Sequence, residues 1–130
     1  MKTLDIRHMI LSTPLREEAV TVPGWEAAHV VIRELDGKRG AELIAACTDA
    51  SGNVNQEALV AGIVLATLRN ADDPHKALIF CHADDPNTYD PALRDSLMAT
   101  GLGRIMQVAT QSIKLSGLDA AAAVKEAKNG

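Results

Sequence analysis

Aromatic residues are the scarcest component of this chain. Trp25, Phe80 and Tyr89 are the only three among 130 residues, although 47% of the chain is hydrophobic. The core must therefore be built from Leu, Ile, Val, Ala and Met, which suits packed helices better than an aromatic-rich β-sandwich. At this length we expect one domain that buries roughly two thirds of its unfolded surface.

Excess positive charge is also lacking. Lys and Arg total 13 against 17 Asp and Glu, which gives a net charge of −4. This balance argues against a general binder of nucleic acid or anionic membranes, because such proteins neutralise phosphates with Lys and Arg. Acidic residues concentrate in 72–95, and residues 101–130 are weakly basic. Ordinary solvated faces explain this pattern more simply than a polarised binding surface.

Cysteine and long apolar runs are scarce as well. Cys47 and Cys81 form no CxxC motif, so reduced thiols are a simpler interpretation than a disulfide. The most apolar stretch, 58–68, is 11 residues long and too short to span a membrane. Residues 1–19 show no signal-peptide pattern. We therefore expect a soluble, intracellular protein.

The N-terminal part of the chain, residues 1–35, is predicted to form β-structure. Apolar residues within 4–11 predict a short strand, and residues 20–22 and 29–34 predict two more. Pro23-Gly24 between these two strands is a turn signal, so they are predicted to form a β-hairpin.

Trp25 beside that turn raises a choice between a binding aromatic and a core residue. We interpret it as packing against the helical body. Alternation then places Val30 and Ile32 on one strand face and Val31 on the other.

The rest of the chain is predicted to be mainly helical. Asn53 or Asn55 is a candidate cap for the second helix, and Asp90-Pro91 begins the third. A strand remains a competitor for 58–68, because a continuous apolar run fits both structures. The predicted helices are 38–48, 57–69, 91–100, 103–115 and 120–128.

Polar loops are predicted at 70–75 and 83–88, on either side of an extended segment at 77–80. The predicted fold is mainly α with a short N-terminal β-hairpin, an α+β arrangement in a single small helical domain over 1–130. Residues 1–35 form the hairpin element, and 36–130 form a helical body with a short extended segment near 77–82.

The densest group of potential metal ligands is Cys81, His82, Asp84 and Asp85, together with the more distant His75. Adjacent residues of an extended segment point to opposite faces, so Cys81 and His82 rarely share a metal. We interpret the group as a loop with a solvated acidic edge, and expect no metal site.

No residue carries a catalytic signature. There is no GxSxG elbow, and Cys47 sits among Ala and Ile as a small buried hydrophobe would. The Gly-Leu-Gly at 101–103 matches neither nucleotide-binding motif. Met98 and Met106 are interpreted as core filling rather than a peptide groove. We expect no enzyme activity and no cofactor.

A helix-turn-helix at 91–115 is the DNA-binding alternative. Its second helix has two cations, so the phosphate contribution to DNA affinity would be small. The residues that would contact DNA are Arg104, Gln107, Thr110, Gln111 and Lys114.

Five short motifs recur in an order typical of one protein family. They are Val22-Pro23-Gly24-Trp25 leading into 29–35, the charged start 36–39, Leu78-Ile79-Phe80 followed by Asp84-Asp85, Leu115-Ser116, and the tail 126–129. In this order the chain resembles, over residues 20–130, the tail assembly chaperones of siphophages and prophages. It departs from the pattern at 70–75, which holds a Pro and no Gly.

The resemblance implies a non-enzymatic phage tail assembly chaperone that binds the tape measure protein and supports tail tube assembly. It further implies a host-cytoplasmic protein that is absent from the mature virion. A longer, frameshifted form of such proteins recruits tail tube protein, and self-association is a further expectation. The sequence assigns no protein-binding residues. The alternatives are a tail structural or completion protein and a small DNA-binding regulator.

Overall fold

The computed structural model describes residues 1–118, so the helix predicted at 120–128 lies outside the described residues. Residues Pro91–Leu93 form a 3₁₀ turn. No described helix is both long and apolar enough to cross a membrane. The elements are α1 (Thr3–Ser12), β1 (Glu17–Val20), β2 (Val30–Arg33), α2 (Gly37–Cys47), α3 (Gln56–Thr67), β3 (Leu68–Asn70), β4 (Cys81–His82), β5 (Asp85–Tyr89), α4 (Arg94–Met98) and α5 (Leu102–Leu115).

The described strands form two antiparallel sheets, β1-β2-β3 and β4-β5. The predicted mainly α fold with one hairpin is therefore wrong, and residues 1–118 form an α+β structure. The prediction failed because β3 follows α3 directly and pairs with β2 over a long sequence separation, with Ile32 opposite Leu68. Such a pairing leaves no local signal.

The predicted hairpin is confirmed with shifted bounds. β1 begins at Glu17, earlier than expected, and Val20 pairs with Val30. Val30 and Ile32 are buried and Val31 is half-buried, as alternation requires. The long connection carries the Pro23-Gly24 turn, where Gly24 has φ +94°. A residue with a side chain rarely adopts this conformation.

The two central helices, α2 and α3, each have a side-chain cap at the N-terminus. Asp36 accepts a hydrogen bond from the Arg39 N–H at 2.7 Å, and Asn55 accepts one from the Ala58 N–H at 3.0 Å. For residues 58–68 the sequence left both helix and strand open. The structure shows helix α3, which ends at Thr67. α3 lies at the centre of the core, with Ile63, Val64 and Leu65 buried. Gly62 allows α2 to approach it closely.

The two helices predicted at 91–100 and 103–115 are confirmed as α4, with its preceding 3₁₀ turn, and α5. Asp90 caps the turn by accepting from the Ala92 N–H at 3.0 Å. Met106 was predicted to face inward, but it is 41% exposed. The stripe of α5 that packs inward is instead Ile105, Val108, Ala109, Ser112 and Leu115.

Two local predictions are wrong, those for residues 4–11 and 83–88. Residues 4–11 are helical, as the spacing of Ile6, Met9 and Ile10 by three and four residues allows. Residues 85–88, predicted as part of a loop, belong to strand β5. Within the predicted extended segment 77–80, Leu78 makes one bridge to Arg69, and the strand itself begins at Cys81. In β5, tertiary pairing overrides the low β-propensity of Asp, Pro and Asn.

Candidate partner-binding surface

α1 is the most unusual surface feature of the described chain. All ten of its residues are exposed, and none is buried. Large apolar side chains on a monomer are normally covered when they cluster. The exposed apolar side chains of α1 are Leu4 (67%), Ile6 (39%), Met9 (52%), Ile10 (62%) and Leu11 (78%).

These side chains cover two sides of the helix. Ile6, Met9 and Ile10 are three and four residues apart, so they share one face. Leu4 and Leu11 are two turns apart and share a second face. A partner helix can therefore pack along either side of α1.

α1 is also weakly stabilised by the rest of the chain. Its N-cap residue, Lys2, makes no side-chain cap. At the other end, the hydroxyls of Ser12 and Thr13 donate to the carbonyls of His8 and Met9, each at 2.7 Å. An isolated helix of ten residues is marginal in water, because nucleation is costly and packing normally supplies the stability. A partner that buries its apolar faces would supply that packing.

A smaller apolar site lies on α5. Leu102 is 66% exposed and Met106 41% exposed, four residues apart on α5. Trp25 is half-buried and packs against the core, which agrees with its interpretation as a core residue. One signal for the α1 helix was overlooked in the sequence: Ile6 and Ile10 are four residues apart, and Leu4 and Leu11 are seven residues apart.

The polar face of α5 is held against the hairpin. The guanidinium of Arg104 donates through Nε to the carbonyl of Pro23 at 2.7 Å. The amide of Gln107 donates to the carbonyl of Thr21 at 2.8 Å, and that of Gln111 to the Glu18 carboxylate at 2.9 Å. Three of the five side chains expected to contact DNA thus serve the fold, which removes most of the support for a helix-turn-helix.

Four residues of the predicted polar cluster, Cys81, His82, Asp84 and Asp85, lie on the β4-β5 hairpin. His75 lies in the connection between β3 and β4. Within residues 1–118, no group of three or more His, Cys, Asp or Glu is arranged to hold a metal ion. Asp85 accepts hydrogen bonds from the Thr88 hydroxyl and the Asn87 N–H, and these bonds lower the pKa of its carboxyl group. The Asp85 carboxylate therefore serves the local turn.

Both cysteines are free thiols, Cys47 buried and Cys81 half-buried. Burial raises the pKa of the Cys47 thiol. A raised pKa disfavours the thiolate, which is the nucleophilic form. The structure therefore agrees with the interpretation of Cys47 as a small core residue.

No protein-family model and no curated protein sequence matches the chain. Among solved structures, the chain is similar to the structure of the bacteriophage HK97 tail assembly chaperone. The TM-score is 0.45 and the sequence identity 19%, and the match covers 85% of this chain and 97% of that chain.

Proposed function

We propose that the chain is a phage tail assembly chaperone that binds the tape measure protein through α1. The exposed apolar surface of α1 is the observation that carries this proposal. A chaperone must cover apolar helical surface on its client, and an exposed helix with apolar side chains on two sides is suited to that contact. The order of sequence motifs over 20–130 supports the same role.

Binding to α1 would couple two favourable events. The client would bury up to five large apolar side chains, each worth about 1.5–3 kcal/mol when fully buried. The same contact would stabilise α1, which has no buried residue of its own. Ordering α1 costs part of this energy, so the complex is expected to be reversible. Reversible binding suits a factor that must release its client when the tail tube forms.

Co-expression with the tape measure protein of the same genome tests the proposal. We expect the chain to raise the soluble yield of that protein and to co-purify with it. Leu4→Ser should lower the recovered complex about tenfold, because one buried leucine side chain is lost. If the wild-type chain neither changes client solubility nor forms a complex, the chaperone function is wrong.

Leu102→Ser is the matched control, since Leu102 and Leu4 are exposed to 66% and 67% and both lie in the first turn of a helix. The control should bind the client as the wild type does. Loss of binding in Leu102→Ser, with binding by Leu4→Ser unaffected, would show that the client binds α5 rather than α1.

A chaperone acts in the host cell during assembly and is absent from the finished particle, whereas a tail structural or completion protein remains in it. Mass spectrometry of purified virions separates these roles. We expect no peptides from this chain at the stoichiometry of a tail component.

A further inference from the structure

Arg69 is a buried guanidinium without a carboxylate partner in the described structure. It lies in the middle of β3 and is 3% exposed. Its Nη1 donates to the carbonyl of Lys76 at 2.9 Å and to Oδ1 of Asn87 at 3.1 Å. Its Nε has no hydrogen-bond partner. Leaving a buried donor unpaired costs about 1–3 kcal/mol, and more for a charged group.

A cavity of about 240 Å³ borders this side chain. Three arginines and two carboxylates line it, so the lining carries one excess positive charge. Leu15, which links α1 to β1, forms part of the wall. The charged lining residues are Arg33, Glu34, Asp36, Arg39 and Arg69.

The two lining carboxylates are already engaged elsewhere. Glu34 accepts from the backbone N–H of Arg16 at 2.8 Å and pairs with its guanidinium at 3.4 Å. Asp36 caps α2, and its nearest contact with the guanidinium of Arg39 is 3.9 Å. Neither carboxylate therefore neutralises Arg69.

One nitrogen of the Arg69 guanidinium remains open to a ligand. Nη1 donates to two protein oxygens, and Nε is enclosed by the protein without a partner, so the donor left for a ligand is Nη2. Its N–H groups belong to a charged guanidinium, which binds a carboxylate oxygen more strongly than a neutral acceptor. We propose that this cavity binds a carboxylate, supplied by an acidic side chain of a protein partner, through Nη2 of Arg69.

The charge of the cavity favours a carboxylate over a phosphate group. One excess positive charge balances a monoanion, whereas a phosphate group carries nearly two negative charges at neutral pH. Burial, followed by the positive charges of Arg33 and Arg39, lowers the pKa of the Arg69 guanidinium. The negative charge of an incoming carboxylate would oppose this lowering of the Arg69 pKa. This inference is independent of the proposed client, since it requires an acidic side chain rather than an apolar helix.

NMR of the full chain tests the inference through the Nε–H signal of Arg69, which Arg69→Lys assigns by removing it. The probes are two blocked tripeptides, Ala-Glu-Ala and Ala-Gln-Ala, with sodium phosphate at the same ionic strength. We expect a saturable shift of the signal with the glutamate peptide and none with the glutamine peptide. Equal shifts with both peptides, or a stronger shift with phosphate, would overturn the proposal.

Arg39→Gln tests the cavity without removing a buried residue. It should weaken binding of the glutamate peptide about threefold, the worth of one exposed ion pair. Lys38→Gln removes the same charge from the neighbouring position, outside the cavity lining, and should leave the affinity unchanged. Unchanged affinity in Arg39→Gln would show that the peptide binds outside this cavity.

A full-chain variant, Asp119→Asn with Glu126→Gln, tests whether acidic side chains of the chain itself compete with the peptide. If only this variant binds the peptide saturably, the cavity serves the chain itself rather than a partner.

Discussion

At the residue scale, one missing side chain sets the distance between the two central helices. A Cβ built on Gly62 of α3 would lie 2.6 Å from Cδ1 of Leu43 on α2. Leu43 is only 5% exposed and belongs to the core, so its side chain has little room to move. The glycine is therefore required by packing, although it lowers the intrinsic stability of the helix.

Gly62→Ala should destabilise the fold by about 1–3 kcal/mol, because overpacking outweighs a gain in helix propensity of up to about 1 kcal/mol. Gly40→Ala on α2 is the matched control, since its Cβ would meet Leu35 at an ordinary 3.9 Å. The control should be neutral or stabilising. Urea unfolding of both variants measures the difference, and a stabilised Gly62→Ala would show that α2 can shift.

At the element scale, α1 differs from every other helix described. α3 has six buried residues, whereas α1 has none. Local opening costs little where few buried contacts must break. The stability of α1 is therefore expected to be separate from that of the core.

Amide hydrogen exchange should show this separation. We expect α1 amides to be protected less than about tenfold and those of α3 more than roughly a thousandfold, because α3 opens only with the whole core. Adding the client should raise the protection of α1. Protection of α1 equal to that of α3 in the free protein would contradict the expectation.

The elements that sequence could predict are those with local signals. Asn55 and Asp90 cap helices that begin where these residues predict. β3 could not be predicted because it is defined by its pairing with the distant β2. β5 could not be predicted because its own residues have low β-propensity. The same limit applies to the candidate sites. The spacing of apolar residues in 4–11 indicates a helix, but neither the lack of packing against α1 nor the burial of Arg69 has a signature in the order of residues.

At the scale of the whole molecule, Glu17 on the edge strand β1 forms ion pairs with β2 and with the segment that follows β3. Its carboxylate lies 3.1 Å from Nη2 of Arg33 on β2 and 2.8 Å from Nζ of Lys76, which follows β3. The hydrogen bond from Lys76 and the contacts with Arg33 lower the pKa of Glu17, although partial burial opposes them. A lowered pKa in the folded state means that ionised Glu17 stabilises the fold.

This contribution is present above the ordinary Glu17 pKa of 4.5 and is lost as the pH falls through the lower, folded-state value. Glu17→Gln should therefore cost about 1 kcal/mol at pH 7, and its difference from wild type should shrink under acid conditions. Urea unfolding at pH 7 and at acid pH measures both values. Glu42→Gln, at an exposed glutamate of α2, is the control. A cost of Glu17→Gln that does not depend on pH would show that packing, rather than charge, is lost.

The separation of α1 from the core also has an evolutionary consequence. Since no residue of α1 is buried, substitutions there are expected to change the surface offered to a partner with little effect on the folding of the rest. Mutations at exposed positions away from packing, caps and buried charges usually change stability by less than about 0.5 kcal/mol. A lineage could therefore change partners through these ten residues while its sheets and central helices stay constant. Related chains that serve different partners should then differ most in this segment.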